Sequence, residues 1–309
     1  MRHAPLALAA AAASVLLLAG CTSEGAGAGS ASPDDTVHVV ASTNVYGQIV
    51  EEVGGDRVEV SSIIASTAQD PHEFEASASD QLLVQDADLL VENGGGFDPF
   101  LDAMAQAAGS AAPVVTAVEL SSAWPGDDEA DDDGVVEGFN EHVFYDPATM
   151  ALVADAIAQQ LGTLDPDHAD DFAKNAADFA TGVQGVEDAL TAIADAHAGA
   201  TVFVTEPLPL YLTEAAGLEN VTPEDFSEAV EEGQDVPPAT LLEALQLVPT
   251  VAVLITNEQA AGAETTQVEE TATDAGVPVL KFSEILPEGT TYLGWMQDNT
   301  AQLAAALGS

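Results

Sequence analysis

Basic residues are almost missing from this sequence. Lysine and arginine together number 4, against 53 aspartates and glutamates, which gives a net charge of −49. A surface of that sign repels phosphate groups, so nucleic acid is excluded as a partner. It also attracts cations and favours solubility, and adaptation to a salty medium is the simplest reason for it. Acidity alone therefore identifies no ligand.

Cysteine is equally scarce, since Cys21 is the only one. Residues 18–21 read Leu-Ala-Gly-Cys, which resembles the bacterial lipobox, where a signal peptide is cut and the new terminal cysteine receives lipid. The apolar run before it, residues 5–19, is too short and too rich in alanine for a good membrane span and is typical of an export signal. A buried cysteine in an ordinary helix is the alternative, but the Gly/Ala/Ser-rich stretch that follows is a poor place for one.

We therefore predict a lipoprotein signal peptide over residues 1–20 and a flexible linker over residues 21–35. Lipid on Cys21 would hold the protein in an extracytoplasmic position, at the outer face of the cytoplasmic membrane. The mature protein would then have no disulfide and no thiolate ligand. Its only basic residues would be Arg57, Lys174 and Lys281.

Strand-like and helix-like segments alternate from residue 36 onward. Apolar runs rich in β-branched residues predict four strands in the first half, at 36–43, 57–64, 87–93 and 113–120. Three more are predicted in the second half, at 201–205, 250–257 and 277–283. Helices between strands at this spacing are typical of parallel sheets that are covered by helices and connected by right-handed crossovers.

A long segment without proline separates the two sets of strands. From residue 167 to residue 198 the apolar residues recur at steps of three and four, as one face of a helix requires. We therefore predict an α/β protein with two lobes, each a mainly parallel sheet flanked by helices, joined by one long rigid α-helix. The predicted boundaries are an N-terminal lobe at 36–165, the linking helix at 166–199 and a C-terminal lobe at 200–309.

An acidic stretch interrupts the first lobe. Residues 121–138 contain seven acids and three glycines, a composition that predicts a mobile loop. If the charged side chains of residues 125–137 only face solvent, we expect deletion of these residues to leave ligand affinity in the cleft between the two lobes nearly unchanged.

Ligands of open α/β sheets bind beyond the carboxyl ends of the strands. Two histidines and two glutamates follow predicted strands or lie on loops between them: His72, His142, Glu206 and Glu284. Two imidazoles and two carboxylates suit a divalent metal, because the carboxylates neutralise the ion and neutral imidazoles complete its shell. A single loop histidine is more often no ligand at all, and we interpret His38, His168 and His197 in that way.

Four motifs carry a family resemblance: DPHEFE, EHVFYDP, TEP before LPLYLTEAAGL, and FSEILPEGTTYLGWM. Together, and in this order, they resemble the metal-specific solute-binding proteins of ABC importers, which carry manganese, zinc or iron. The resemblance runs from about residue 36 to the C-terminus. The lipobox agrees with it, since family members in cells that lack an outer membrane are usually lipoproteins.

The resemblance implies a metal bound in the cleft between the two lobes. By motif, the implied ligands are His72 and His142 from the first lobe, with Glu206 and Glu284 from the second. Zinc-specific relatives usually have histidine at the third position, and manganese-binding relatives usually have aspartate at the fourth. The second motif commonly reads PHVW, so Glu141 stands here in place of proline. Residues 121–138 stand where zinc-type relatives often carry a histidine-rich segment.

The donor set favours Mn²⁺ as the cargo. Half of the implied donors are carboxylates, which can bind through two oxygens each and raise the coordination number to five or six, and this suits Mn²⁺ better than tetrahedral Zn²⁺. Zn²⁺ nevertheless has the higher intrinsic affinity at almost any N/O site. Zn²⁺ is therefore the second choice, and a zinc-specific receptor of the same build is the alternative.

Other function classes find less support. A metallohydrolase would need an open coordination position and a general base, for which Glu73 or Glu75 could be offered, but the sequence has no HExxH or GxSxG motif. A peptide or organic-solute receptor would need arginines and aromatic residues in its cleft. The four ordered motifs argue against an anchored adhesin. We therefore predict that the protein is not an enzyme. We predict instead a monomeric receptor that delivers metal to an ABC permease with its cytoplasmic ATPase.

Two aspartates beside the histidine motifs have two interpretations. Asp70 and Asp146 could accept hydrogen bonds from the N–H groups of the ligands. Equally, they could be helix caps or surface acids, and Asp146-Pro147 in particular has the pattern of an N-cap with proline at the first helical position.

Overall fold

The computed structural model describes residues 36–69, 71–72, 74–126, 130–131 and 134–308. The predicted signal peptide, the linker and the lipidation site Cys21 lie outside these residues, as do Asp70 and Glu73. No helix in the described part of the chain is both long enough and apolar enough to cross a membrane.

The first sheet has four parallel strands: β1 (Val37–Thr43), β2 (Val58–Ile64), β3 (Leu89–Glu92) and β4 (Val114–Thr116). Their order in space is β2-β1-β3-β4, and Val39 of β1 lies opposite Val60 of β2 and Leu89 of β3. Three helices connect them: α1 (Asn44–Gly54), α2 (Ala78–Asp86) and α3 (Pro99–Ala108). We call this sheet with its helices the first lobe.

The second sheet also has four parallel strands: β5 (Thr201–Val204), β6 (Glu219–Asn220), β7 (Val253–Asn257) and β8 (Val279–Phe282). Their order in space is β6-β5-β7-β8. The helices that connect them are α6 (Leu210–Ala215), α7 (Glu224–Glu231), α8 (Pro238–Leu247) and α9 (Ala263–Ala275). We call this sheet with its helices the second lobe.

Two helices in the middle of the chain and one at its end pack the lobes together. These are α4 (Pro147–Leu164), α5 (Ala169–His197) and α10 (Tyr292–Leu307). One face of α5 is buried, as the periodicity predicted: Phe172, Ala176, Phe179, Val183, Val186, Leu190 and Ile193. This face lies in one apolar core with side chains from both sheets and from α1 and α10. The predicted α/β architecture with a long connecting helix is thus observed.

Local sequence explains where two of the helices begin. Ser77 and Asp80 form a capping box, in which each side chain accepts from the other residue's backbone N–H, and α2 begins there. Asp146 caps α4 by accepting from the N–H of Ala148 at 3.2 Å, with Pro147 at the first helical position. The cap is therefore the role that the structure shows for Asp146.

The structure departs from the predicted elements at short segments. The fourth predicted strand contains only the three residues of β4, followed by a 3₁₀ turn at Val118–Leu120. The edge strand β6, with two residues, and the eight-residue helix α7 were not predicted. Both are too short to show a clear hydrophobic period.

Candidate metal centre

The predicted ligands follow the carboxyl ends of strands in both sheets. In the second sheet the central strands β5 and β7 connect to neighbours on opposite sides, and such a switch point leaves a crevice at their carboxyl ends. Glu206 follows β5, Asn257 ends β7 and Glu284 follows β8. In the first lobe His72 lies on the loop after β2 and His142 lies on the loop after β4.

Three possible donors from the first lobe come together. His72, Glu141 and His142 each offer a ligand atom, and these atoms all lie within 4.8 Å of one another. The ring centroids of the two histidines are 6.2 Å apart, and Phe97 packs edge-on against both rings. His142 is fully buried whereas His72 is exposed. His72 therefore lies on the solvent side of this cluster.

Asn140 fixes the tautomer of the His142 ring. Its Oδ1 accepts hydrogen bonds from the backbone N–H of His142 at 3.1 Å and from Nδ1 at 2.8 Å. Because an amide oxygen can only accept, the ring proton lies on Nδ1 and the lone pair on Nε2. The orientation of the amide is set by its Nδ2, which donates to the carbonyl oxygen of Pro207.

The second nitrogen of His142 is left for a ligand. Burial, followed by the neighbouring His72, lowers the pKa of His142 well below its ordinary value, so the ring stays neutral. Its Nε2 is buried and has no hydrogen-bond partner among the described residues. Leaving a buried polar atom unpaired costs free energy, which a metal ion would recover. A neutral, buried lone pair of this kind fits a transition-metal ligand.

The two carboxylates from the second lobe are held side by side by one amide. Nδ2 of Asn257 donates to Oε2 of Glu206 and to Oε1 of Glu284, each at 2.6 Å. Both glutamates are almost fully buried. Two carboxylates at this separation repel each other, and a divalent cation between them would neutralise that repulsion.

Two further carboxyl groups lie near the proposed ligands, and burial shifts both toward the protonated form. Burial raises the pKa of Glu141 to about 7. Burial, followed by the charges of Glu141, Glu206 and Glu284, raises the pKa of Glu231 to about 9. Oε1 of Glu231 lies 4.0 Å from Nδ1 of His142. Donors from the two lobes thus lie within electrostatic reach of one another.

Two amide side chains connect ligand-bearing segments of opposite lobes. Asn140, beside His142, donates to the carbonyl oxygen of Pro207, the residue after Glu206. Gln259 accepts from the backbone N–H of Glu284 at 3.1 Å and donates to the carbonyl oxygen of Thr67 at 2.9 Å, on the loop that leads to His72. Through Asn140 the loop of His142 is joined to the segment of Glu206. Through Gln259 the segment of Glu284 is joined to the loop that leads to His72.

The basic residues lie elsewhere, each paired with its own acid. Within the described chain the pairs are Arg57 with Asp165 at 2.9 Å, Lys174 with Asp178 at 2.6 Å and Lys281 with Glu269 at 3.0 Å. The cluster around His142 therefore combines carboxylates and imidazoles without a lysine or arginine from the described residues. This composition suits a cation and disfavours an anionic organic solute.

Comparison with known proteins identifies the family of this chain. The model of the ZnuA family, described as zinc-uptake complex component A, periplasmic, matches residues 39–306. The chain belongs to the ZnuA family. The predicted resemblance to metal-binding receptors of ABC importers is thereby confirmed.

Individual members of the wider group are similar over different lengths. The manganese-binding lipoprotein MntA of Halalkalibacterium halodurans is 27% identical over 67% of this chain, a match that spans 66% of that relative, just under two thirds. The manganese ABC transporter substrate-binding lipoprotein PsaA of Streptococcus pneumoniae is 25% identical over 95% of this chain and 96% of its own.

A solved structure shares the fold. The laminin-binding protein Lmb of Streptococcus agalactiae, titled a bifunctional protein with adhesin and metal transporting activity, superposes with a TM-score of 0.70. It is 25% identical, and the match covers 88% of this chain and 99% of that one.

In this member of the ZnuA family, five polar residues near the proposed ligands were not predicted from the sequence as part of the site: Asn140, Glu141, Glu231, Asn257 and Gln259. Glu141 was noted only as a departure from the family motif. Asn257 could have been found by the strand-end rule had it been applied to amides as well as to acids and histidines. No sequence signal singles out Glu231, because it lies at the end of the unpredicted helix α7 in a chain with 53 acids.

Proposed function

We propose that this protein captures a divalent transition metal outside the cytoplasm and delivers it to an ABC permease. The proposed ligands are the four predicted residues, His72, His142, Glu206 and Glu284. The observation that carries the proposal is the Nε2 atom of His142, which is neutral, buried and without a hydrogen-bond partner among the described residues. A receptor of this kind performs no chemistry on its cargo, so we propose no enzymatic activity.

The split of the donors between two lobes gives a mechanism for capture and release. Each lobe alone would supply two of the proposed ligands and hold an ion weakly. An ion bound by both lobes favours the arrangement in which they are close together, because it binds that state better than the open one. We propose that the permease recognises the closed, loaded form and recovers the ion by separating the lobes again.

The cargo we favour is Mn²⁺, with Zn²⁺ next. The proposed ligands are two carboxylates and two imidazoles, without sulfur. Because each carboxylate can bind through two oxygens, they can supply up to six donor atoms. Two of the relatives compared above are named for manganese, the family is named for zinc uptake, and a further relative from Streptococcus pyogenes is named for iron. These names support a divalent metal as cargo.

The remaining parts of the chain are assigned by the same proposal. Residues 1–20 would direct export, Cys21 would carry the lipid that anchors the protein at the outer face of the cytoplasmic membrane, and residues 21–35 would be the tether. The lobes at 36–165 and 200–309, joined by the helix at 166–199, would act as one monomer with the permease and its ATPase as partners. The described residues single out no surface for adhesion.

Isothermal titration calorimetry on the metal-stripped protein tests the proposal. We expect saturable binding of one Mn²⁺ or one Zn²⁺ per chain, and its loss in His142→Ala and in His72→Ala. His38→Ala is the matched control, because His38 lies on β1 beside Glu59 and away from the cluster. Wild-type protein that binds neither metal would refute the function, and unchanged affinity in either ligand variant would refute the site.

A further inference from the structure

The segment that carries Glu284 packs into the first lobe, although it follows the last strand of the second sheet. Ile285, the next residue, is fully buried. It belongs to an apolar cluster with residues of the first lobe, among them Val40 of β1, Val84 of α2 and Leu101 of α3. The side chain beside a proposed ligand of the second lobe is therefore part of the hydrophobic core of the first.

Hydrogen bonds from the first lobe fix the backbone on both sides of Glu284. Asn44, the first residue of α1, donates from Nδ2 to the carbonyl oxygen of Leu286 at 2.8 Å, and its Oδ1 accepts from the N–H of Leu286 at 3.0 Å. The hydroxyl of Tyr145 donates to the carbonyl oxygen of Ser283 at 2.9 Å. The residues before and after this proposed ligand are thus bonded to side chains from the first half of the chain.

The same apolar cluster also receives a residue from the loop of His72. Phe74 packs against it, and the centroid of its ring is 4.8 Å from that of Phe100 in α3. Phe74 lies two residues after His72, just as Ile285 lies one residue after Glu284. One core of the first lobe therefore holds two segments that carry proposed ligands, one from each half of the chain.

The side chain of Glu284 is held from the other direction. Its Oε1 accepts from Asn257 of the second lobe at 2.6 Å, while the contacts described above hold its backbone against the first lobe. A donor that is fixed before binding loses less conformational freedom when an ion arrives, and a small displacement of its backbone moves its oxygens away from the ion. The position of this carboxylate thus depends on contacts that lie outside the set of ligands.

We propose that Asn44 and Ile285 are positioning residues for Glu284, through which the first lobe sets the place of a carboxylate that the second lobe supplies. The proposal rests on the metal-receptor function argued above and adds to it two residues that are not ligands themselves. Loss of either contact would keep all four proposed donors but allow one of them to move. We therefore expect weaker binding with an unchanged stoichiometry.

The main test compares Asn44→Ala with Gln48→Ala. Gln48 lies one turn further along α1, and its Oε1 accepts from the N–H of Tyr292 at 2.8 Å, a bond to α10 that holds no proposed ligand. We expect Asn44→Ala to weaken Mn²⁺ and Zn²⁺ binding by on the order of tenfold, as measured by competition against a metal-sensitive chelator. Gln48→Ala should keep both affinities at the wild-type values.

A second pair of variants tests the apolar contact. Ile285→Val and Ile157→Val each remove one carbon atom from a fully buried isoleucine, but Ile157 lies in α4 and in a different core cluster. We expect the first variant to weaken metal binding several-fold and the second to leave it unchanged. The visible absorption of bound Co²⁺, which depends on ligand geometry, should change in Asn44→Ala and Ile285→Val but in neither control.

The metal-free protein separates this inference from the proposed function. Hydrogen exchange of the Leu286 amide should be faster in Asn44→Ala than in wild type or Gln48→Ala, because the variant lacks its acceptor. An unchanged exchange rate would refute the anchoring, whether or not metal binds. If wild-type protein binds neither Mn²⁺ nor Zn²⁺, the proposed function fails and the positioning role fails with it.

The affinities of the variants decide the remaining cases. If wild-type protein binds metal and Asn44→Ala keeps its affinity and its Co²⁺ spectrum, the positioning role is refuted and the function stands. Equal losses of affinity in Asn44→Ala and Gln48→Ala would refute it as well, because the effect would then come from general contact between the lobes. Circular dichroism checks the fold, and failure of both Asn44→Ala and Ile285→Val to fold would make these contacts structural and overturn the inference.

Discussion

Asn257 shows how single residues prepare this site. One amide nitrogen donates to two buried carboxylates and thereby partly offsets the cost of placing them together without a cation. Asn140 does the corresponding work for the histidine, because its oxygen holds the ring proton on the nitrogen that faces away from the free lone pair. The proposed donors are thus held in place without an ion, which would reduce the ordering cost of binding one.

The third proposed ligand decides between oxygen-preferring and nitrogen-preferring metals. Glu206→His replaces a charged oxygen donor by a neutral nitrogen, which favours Zn²⁺ over Mn²⁺. We expect the ratio of Zn²⁺ to Mn²⁺ affinity to rise by on the order of tenfold in competition titrations. Glu258→His, at an exposed position in the same lobe, should leave the ratio at its wild-type value. An unchanged ratio in Glu206→His would contradict the assignment of this residue as a ligand.

A buried carboxyl outside the site makes stability depend on pH. Burial, and then the charge of Asp98, raises the pKa of Glu92 to about 8 in the folded state, against about 4.5 as the ordinary value. The fold therefore prefers protonated Glu92, and this contribution is complete below about pH 4.5 and is lost as the pH rises toward 8.

Glu92→Gln keeps an acceptor for the hydroxyl of Thr116 but never ionises. We expect the variant to be more stable than wild type at pH 8, by roughly 4 kcal/mol, and the difference to shrink as the pH falls toward 4.5. Denaturant unfolding across this range measures it. Glu270→Gln, at an exposed position of α9, is the control. A stability difference between Glu92→Gln and wild type that does not change with pH would contradict the raised pKa of Glu92.

At the scale of elements, two loops carry first-lobe donors and both are tied to the second lobe. Asn140, on the loop that carries His142, donates from its side-chain amide to the carbonyl oxygen of Pro207. The backbone carbonyl of Asn140 accepts from the hydroxyl of Tyr211 at 2.7 Å. The loop before His72 bonds through Thr67 to Gln259. These bonds hold both ligand loops of the first lobe against the second lobe.

Asn140→Ala tests this coupling. It removes the acceptor of the His142 ring proton and one bond between the lobes, so we expect metal affinity to fall by about 10- to 100-fold. The matched control is Asn175→Ala, which removes a similar bond from α5 to the carbonyl oxygen of Val53 in α1, away from the site. ¹⁵N NMR of His142 should show a mixture of ring tautomers in Asn140→Ala alone. Wild-type affinity in that variant would contradict the role of Asn140.

Long elements were predictable from sequence and short ones were not. The long helix showed its buried face at Phe172, Phe179 and Val186 because many turns repeat the same period. Neither β6 nor α7 is long enough to repeat one. The four ligand candidates were predictable because strand ends and family motifs mark them. Glu231 and Gln259 were not, because their partners are fixed only when the two lobes pack together.

At the scale of the whole molecule, the net charge of −49 and the proposed metal site would act in the same direction. The general field raises the local concentration of cations around the protein, and the cluster at the strand ends supplies the specific donors. In the proposed function selectivity would come from the cluster, since the field does not distinguish one divalent ion from another.

Metal should therefore stabilise the entire chain by mass action. At a free concentration of 100 times the dissociation constant, an ion that binds only the folded state adds about 2.7 kcal/mol. We expect thermal unfolding of the metal-stripped protein to shift upward by several degrees with Mn²⁺ or Zn²⁺ and much less with Mg²⁺ at the same ionic strength. Equal shifts with all three ions would indicate charge screening instead of a site.

The central claim is that one ion bridges the two lobes at these residues. Anomalous X-ray diffraction from crystals of the Mn²⁺-loaded protein, collected on both sides of the manganese absorption edge, tests it most directly. We predict a single strong peak about 2.0 to 2.3 Å from Nε2 of His142 and from carboxylate oxygens of Glu206 and Glu284. A peak that contacts only one lobe, or none near His142, would contradict the account.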